Sequence, residues 1–257
     1  MLRRFGSAIV LQSLSPALLF ALSFGIARLW GPAEQGVFVA GKAWLDLLVA
    51  VGCFGFPQSL IIAINRHGAD RSRLYGDAAI YAAVSVLVLW PVSYFARAGT
   101  DVGAVSALLV AVGAAGVVLS NLWRGILLTV DDGMRFHLIT SAPAVAIFVL
   151  VASVAIADAS RFAEFMPAAL AGAGMLAALL AFALSGPLRL RSAVGRAADY
   201  VALVRDGGDF FLQAVTTAMQ SFLCIALIGR IAGPDEVGRF GMAQISRQAL
   251  LMPVQML

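Results

Sequence analysis

The sequence predicts an all-α polytopic membrane protein, with one six-helix lobe followed by the first two helices of a second lobe. Three observations predict this fold class. Hydrophobic residues make up 61% of the 257 residues and charged residues only 12%, against roughly 45–50% and about 25% in soluble domains. The apolar residues gather in runs that are long enough to cross a bilayer, for which about 20 residues suffice. A short segment near the N-terminus also recurs near the C-terminus.

The composition excludes several classes of protein. A secreted disulfide scaffold, a cytosolic enzyme and a disordered tail would all need far more polar surface. The net charge of +4 does not indicate a nucleic-acid partner, because the basic residues are scattered at the ends of the runs. Cys53 and Cys224 lie inside apolar runs without a neighbouring ligand set, so we expect neither metal nor cofactor. Transporter, channel, membrane enzyme and anchor stay open.

Eight apolar runs predict eight membrane helices, because lipid offers no hydrogen-bond partner to an open backbone. The second run is longer than a bilayer requires and carries Gly55 and Pro57, so we expect a kink there. The runs cover residues 6–27, 36–64, 76–96, 102–128, 138–157, 165–186, 209–231 and 236–257.

The polar segments divide these runs into three parts. Residues 1–187 form the first six-helix lobe, residues 188–208 a basic cytoplasmic connector with room for an interfacial helix over 192–204, and residues 209–257 the start of a second lobe. Arginine-rich short loops stay in the cytoplasm, which places the N-terminus there. The inner side then receives Arg3, Arg4, Arg66, Arg71, Arg73, Arg135, Arg189, Arg191, Arg196 and Arg205, and the outer side only Arg28, Arg97, Arg161 and Arg230.

An internal repeat carries more information than any local motif. Residues 26–38 recur at residues 228–240, at an offset of 202, with seven of thirteen positions identical. A tight outer turn alone would favour Gly-Pro but would not require the matching Arg, Glu, Gly and Phe. The matched pairs are Ile26 and Ile228, Arg28 and Arg230, Gly31 and Gly233, Pro32 and Pro234, Glu34 and Glu236, Gly36 and Gly238, and Phe38 and Phe240.

Six spans separate the two copies of this turn, so both copies enter the membrane in the same direction. Parallel repeats of this kind are a transporter architecture, with the substrate path between the two lobes. By the same offset, residue 257 corresponds to Gly55. We therefore expect a truncated transporter fold whose second lobe is incomplete.

Two stretches resemble a known family. Residues 28–38, which read RLWGPAEQGVF, and residues 52–60, which read GCFGFPQSL, resemble the start of polysaccharide flippases. These are the O-antigen and exopolysaccharide exporters of the multidrug/oligosaccharidyl-lipid/polysaccharide superfamily. The resemblance implies a bacterial inner-membrane protein of about twelve to fourteen helices that works by alternating access. It also implies that the substrate is an undecaprenyl-pyrophosphate-linked oligosaccharide, and that polysaccharide polymerase and glycosyltransferases of the same pathway are partners.

Other functions stay open beside this resemblance. A cation-coupled multidrug exporter of the same superfamily and a non-transporting structural membrane protein are the alternatives. A membrane glycosyltransferase would need a sizeable loop with a carboxylate constellation, and ATP hydrolysis would need a phosphate-binding Gly-Lys-Ser loop. The sequence holds neither, so we do not expect an enzyme.

Charged residues inside a span are costly and are therefore site candidates. Lys42 and Asp46 are four residues apart and share a helix face, where they either neutralise one another or face a cavity. In the cavity, Lys42 would meet a phosphate and Asp46 would be a proton or cation site. The equivalent repeat positions hold Gln244 and Gln248, so this face is polar in both copies.

Three arginines complete the predicted translocation cavity. Arg247 lies too deep in its span to snorkel easily, which favours a cavity cation, whereas Arg124 and Arg239 lie close enough to a surface to reach head groups. Arg28 and Arg230 are expected to complement the carbonyl ends of the helices that precede the two repeated turns.

Overall fold

The computed structural model describes residues 2–96, 103–129, 133–157, 161–185 and 197–255, and the regular elements in these ranges are all helical. It confirms the predicted all-α polytopic membrane fold. The helices are α1 (Leu2–Trp30), α2 (Pro32–Cys53), α3 (Phe56–His67), α4 (Arg71–Ala96), α5 (Ala104–Leu127), α6 (Gly133–Ala157), α7 (Phe162–Ser185), α8 (Ala197–Ala232) and α9 (Pro234–Gln255).

Seven spans within the described ranges are long and apolar enough to cross a membrane, and α2 and α3 together form one of them. The eighth predicted span forms α9, but it is not one of the seven. Its mean hydropathy is too low, because four charged residues and three glutamines lie on this helix: Asp235, Glu236, Arg239, Arg247, Gln244, Gln248 and Gln255.

The predicted kink in the second span is a complete break between α2 and α3. Phe54 and Gly55 both adopt left-handed backbone conformations, with φ of 47° and 70°. Pro57 follows in the first turn of α3, where its missing N–H costs no hydrogen bond. The break frees carbonyls at the end of α2, and the Tyr81 hydroxyl donates to one of them, that of Gly52, at 2.7 Å.

Helix α8 differs from the prediction at its start. It begins at Ala197 and runs unbroken to Ala232, so the segment from residue 197 to 204 is its first part and not a separate interfacial helix. The remainder of the predicted connector, up to residue 196, lies outside the described residues. The contacts that Leu203 and Gly207 make with Ser59 and Gly55 stabilise this part of α8 as helix.

The segment of α8 from Leu203 to Phe211 packs on the break between α2 and α3. Gly207 approaches Gly55 so closely that a Cβ atom on either residue would collide with the other backbone or with Ser59. The Ser59 hydroxyl donates to the carbonyl of Leu203 at 2.9 Å. The Phe54 and Phe211 rings stack with centroids 4.3 Å apart. The break therefore anchors α8 to the first lobe.

Within the first lobe, α5 and α7 approach closely through glycines. A Cβ atom on Gly174 would collide with the Gly113 carbonyl, and one on Gly116 would collide with Gly174. Lipid supplies no hydrophobic drive for helix association, so van der Waals packing of small residues holds such helices together.

The two copies of the repeat meet at the interface of α2 and α9. A Cβ atom on Gly36 would collide with the carbonyl of Pro234, and one on Gly238 would collide with the carbonyl of Pro32. Equivalent residues thus make the same contact in both directions. An approximate twofold axis, which passes between Gly36 and Gly238, therefore relates the two copies of the repeated turn.

Candidate functional site

A cavity of about 710 Å³ lies between α1, α2 and α3 on one side and α8 and α9 on the other. Its volume is in the range of small-molecule binding sites, roughly 300–1,000 Å³. The cavity follows the internal repeat, because twelve of its lining residues form equivalent pairs. These pairs are Ser15 and Thr217, Pro16 and Ala218, Leu19 and Ser221, Val39 and Gly241, Lys42 and Gln244, and Ala43 and Ile245.

Lys42 and Asp46 lie on the wall that α2 contributes. The Lys42 ammonium donates to the Asp46 Oδ2 at 2.5 Å. The side chain of Lys42 is 26% exposed and that of Asp46 is 54% exposed, so the pair is open to the cavity. Among the described lining residues, these two are the charged ones. Lys42 and Asp46 therefore neutralise one another and also face the cavity, so both interpretations of the pair hold in the structure.

The opposite wall is polar but uncharged. Gln213, Thr217 and Ser221 follow one face of α8, and Gln244 faces them from α9. The Thr217 hydroxyl donates to the Gln213 backbone carbonyl at 2.9 Å, which leaves its oxygen able to accept a further hydrogen bond. This wall offers amides and hydroxyls, which bind neutral polar groups.

Gln58 of α3 and two aromatic rings complete the lining. Phe38 and Phe210 supply apolar surface on opposite sides of the cavity, while Gln58 adds another amide. The lining as a whole offers one ion pair, several neutral hydrogen-bonding groups and a moderate apolar area. Such a mixture suits an amphipathic ligand with a hydroxyl-rich head.

A buried polar pair lies beside the cavity, between α1 and α2. The Gln35 side-chain amide donates to the Ser23 hydroxyl, and both residues are fully buried. The Ser23 hydroxyl in turn points to the Met242 sulfur of α9 at 3.6 Å. The equivalent repeat positions hold Ile225 and Val237, which are also buried, so the two lobes fill the same site with opposite polarity.

The structure does not bring the three predicted cavity arginines to this site. Arg247 is exposed on α9, and Arg239 is exposed and paired with Glu236 at 2.9 Å. Arg124 is half-buried on α5, one turn beyond Asn121, whose amide lies 3.8 Å from the Cys53 sulfur. None of the three lines the cavity. Arg239 and Arg247 lie on exposed positions of α9, and Arg124 lies on α5, which contributes no residue to the lining.

The residues of the repeated turn form the helix junctions on one side of the cavity. Gly31 and Gly233 adopt φ of 95° and 88°, a conformation that glycine tolerates without strain. The other members surround these glycines: Arg28 and Arg230 in the last turns of α1 and α8, Pro32 and Pro234 as the first residues of α2 and α9, Glu34 and Glu236 in the first turns, and Gly36 and Gly238 at the contact of the lobes.

These charges suit the helix ends where they lie. A cation is favourable at a carbonyl end and a carboxylate at an amide end. The placement of Arg28 and Arg230 fits the helix-end role expected of them, and Glu34 and Glu236 lie in first turns, where a carboxylate is favourable. The substrate-binding role of the cavity residues stays a prediction.

Four cavity residues carry no clear signal in the sequence, namely Ser15, Gln58, Gln213 and Thr217. A neutral polar residue in a membrane helix is a weak signal by itself, because it also serves helix packing. Extending the repeat offset along α1 would have paired Ser15 with Thr217 and indicated the second wall. Among the described residues, no group of three or more His, Cys, Asp or Glu side chains could hold a metal ion.

Comparisons with known proteins give the fold but no family. No protein-family profile matches the chain, and no curated protein matches it. A solved structure of a multidrug resistance MATE family transporter of the MOP superfamily, in an inward-facing conformation, matches with a TM-score of 0.65 and 16% identity. The MATE multidrug transporter DinF-BH in complex with R6G matches with a TM-score of 0.62 and 15% identity.

These matches extend over nearly the whole of this chain, 96% and 99% of it. They cover 60% and 62% of the two transporters, so the chain spans about three fifths of their length. At this identity the likeness establishes the shared fold. It does not by itself assign a substrate.

Proposed function

We propose that this chain acts in membrane transport, moving a lipid-linked oligosaccharide across the membrane in surface polysaccharide biosynthesis. The observation that carries the proposal is the cavity between the two copies of the repeat. In folds built from parallel repeats, the substrate path lies at that interface. The shared fold with two transporters supports a role in membrane transport.

The chemistry of the cavity supports the substrate class. Lys42 offers a cation to a phosphate, with which it would form charge-assisted hydrogen bonds. Gln213, Gln244 and Thr217 offer neutral donors and acceptors to sugar hydroxyls. Both kinds of group lie within one cavity, as a phosphate-linked sugar requires.

The natural form of such a substrate is an undecaprenyl-pyrophosphate-linked oligosaccharide, and the expected location is the bacterial inner membrane. The arginine bias of the loops supports a cytoplasmic N-terminus, from which the glycan would be exported. Polysaccharide polymerase and the glycosyltransferases of the same pathway would then supply and consume the substrate. The lipid bilayer surrounds the outward-facing apolar helices.

A deletion strain tests this proposal. We expect loss of the protein to raise the cellular level of a lipid-linked glycan precursor and to reduce surface polysaccharide, and we expect a plasmid copy to reverse both effects. The precursor is measured by lipid extraction and mass spectrometry. Unchanged precursor and unchanged surface polysaccharide would refute the proposal.

Multidrug export is the second candidate, because both structural neighbours are multidrug transporters. The half-exposed carboxylate of Asp46 is the group that would bind a coupling cation or a cationic drug. The same deletion strain separates the two functions. Increased sensitivity to cationic dyes, with normal surface polysaccharide, would favour drug export.

A further inference from the structure

We infer that the cavity selects a head group that carries both a negative and a positive charge. The inference rests on the proposed function and names its substrate class, a lipid-linked phosphate whose adjoining sugar bears a free amino group. It rests on the charge, accessibility and spacing of Lys42 and Asp46, and on the neutrality of the facing wall.

The charged groups that line the cavity balance one another. Lys42 and Asp46 contribute one charge of each sign, and the other described lining residues are uncharged. A purely anionic head group bound to Lys42 would leave the Asp46 carboxylate facing a like charge. A head group with an ammonium beside its phosphate pairs with both side chains at once.

Both charged side chains are accessible to a ligand in the cavity. More than half of the Asp46 side chain and about a quarter of the Lys42 side chain are exposed. An exposed pair at positions i and i+4 contributes little to the stability of a helix. The ion pair between Lys42 and Asp46 can therefore break at little cost to the fold. Each side chain can then pair with an opposite charge of the ligand.

Lys42 and Asp46 lie close together on α2. Residues four apart are separated by about 6 Å along a helix, so both charges face a small volume. A sugar with its amino group on the carbon beside the phosphate-linked carbon holds its two charges similarly close together.

The facing wall orients the same ligand. Gln213, Thr217 and Gln244 carry no charge, so they would bind the hydroxyls of the sugar while α2 binds its charges. The equivalent of Lys42 across the repeat is Gln244, which makes the two walls chemically different. The sugar therefore binds in one orientation, with its phosphate and amine toward α2.

A matched pair of ligands tests the inference. One probe is a short polyprenyl pyrophosphate linked to glucosamine, and the other is the same molecule with the amine acetylated, so they differ in one positive charge. Binding to the whole chain in lipid nanodiscs is measured by titration calorimetry. We expect the free amine to bind about fivefold more tightly, the factor that an accessible ion pair supplies.

Substitutions assign this preference to particular side chains. We expect Asp46→Asn to reduce the ratio of the two affinities to about one. Lys42→Gln should instead weaken the binding of both probes by the same factor, so that their ratio is kept. The second variant is Asp46→Gln, which introduces the residue found at the equivalent repeat position, Gln248. It should behave like Asp46→Asn. Arg161→Gln is the control, because Arg161 pairs with Glu164 outside the cavity, and should keep the preference.

The possible results separate the inference from the function on which it rests. Equal affinity of the unsubstituted protein for the two probes, or an unchanged preference in both Asp46 variants, overturns the inference and leaves the proposed function standing. Failure of the unsubstituted protein to bind either probe overturns both.

Discussion

Gly36 of α2 packs directly against Gly238 of α9, and each glycine faces the carbonyl of the proline that begins the other helix. These glycines occupy equivalent positions of the repeat, so the contact is reciprocal. The next contact along the interface is less symmetric. It joins Gly241 to Val39, which are equivalent positions of the repeat but hold residues of different size. The segment that reveals the repeat in the sequence is therefore also the segment through which the two lobes touch.

We expect Gly36→Ala to destabilise the contact of the lobes. The added methyl group collides with the Pro234 carbonyl, and overpacking of this kind costs about 1–3 kcal/mol. The measurement is thermal unfolding of the purified protein in detergent. Gly25→Ala is the control, because its Cβ meets nothing within 4 Å and alanine favours a helix. Equal effects of the two substitutions would contradict the assigned contact.

The Tyr81 hydroxyl should stabilise the break between α2 and α3. Tyr81→Phe removes the hydrogen bond to the Gly52 carbonyl, and we expect a loss of about 1 kcal/mol in the free energy of unfolding. Tyr94→Phe provides the comparison, since Tyr94 is 48% exposed on the same helix. A stability loss in the Tyr94 variant that matches or exceeds the loss in the Tyr81 variant would argue against this role.

The buried pair of Ser23 and Gln35 should behave as a unit. Ser23→Ala alone leaves the buried Gln35 amide without its partner, at a cost of about 1–3 kcal/mol. The double variant Ser23→Ala with Gln35→Leu removes both polar groups, as the second lobe does with Ile225 and Val237, and should recover most of that loss. The test is a double-mutant cycle in thermal unfolding. Additive losses in the double variant would show that the pair is not coupled.

Much of the fold could be predicted from the sequence, because lipid imposes simple rules. A run of about 20 apolar residues in a bilayer has few alternatives to a helix, and Gly55 with Pro57 marks the place where one such helix breaks. The continuity of α8 could not be predicted, because residues 205–208, which read RDGG, interrupt the apolar pattern and look like the end of a connector. Gly207 fits within the helix through its close contact with Gly55 and Ser59, which are distant in the sequence.

The cavity was only partly predictable for a geometrical reason. Lys42 and Asp46 face it, as their shared helix face suggested, but Arg247 does not. Gln244 and Arg247 are three residues apart, so their directions differ by about 60° around α9. Which of them faces the cavity depends on how α9 rotates against α2, and the close approach at Gly238 and Gly241 decides that rotation.

If the cavity beside α2 binds the substrate, as we propose, substitution of its lysine will impair transport, and two charge variants provide the test. The measurement is restoration of surface polysaccharide, with clearance of the lipid-linked precursor, in the deletion strain. We expect Lys42→Gln to lower the restoration of surface polysaccharide by about tenfold, the factor for one lost charged contact of about 1.4 kcal/mol. We expect Arg247→Gln, at equal membrane abundance, to restore both surface polysaccharide and precursor clearance fully. Full restoration by Lys42→Gln, or an equal loss in both variants, would show that the cavity beside α2 does not bind the substrate.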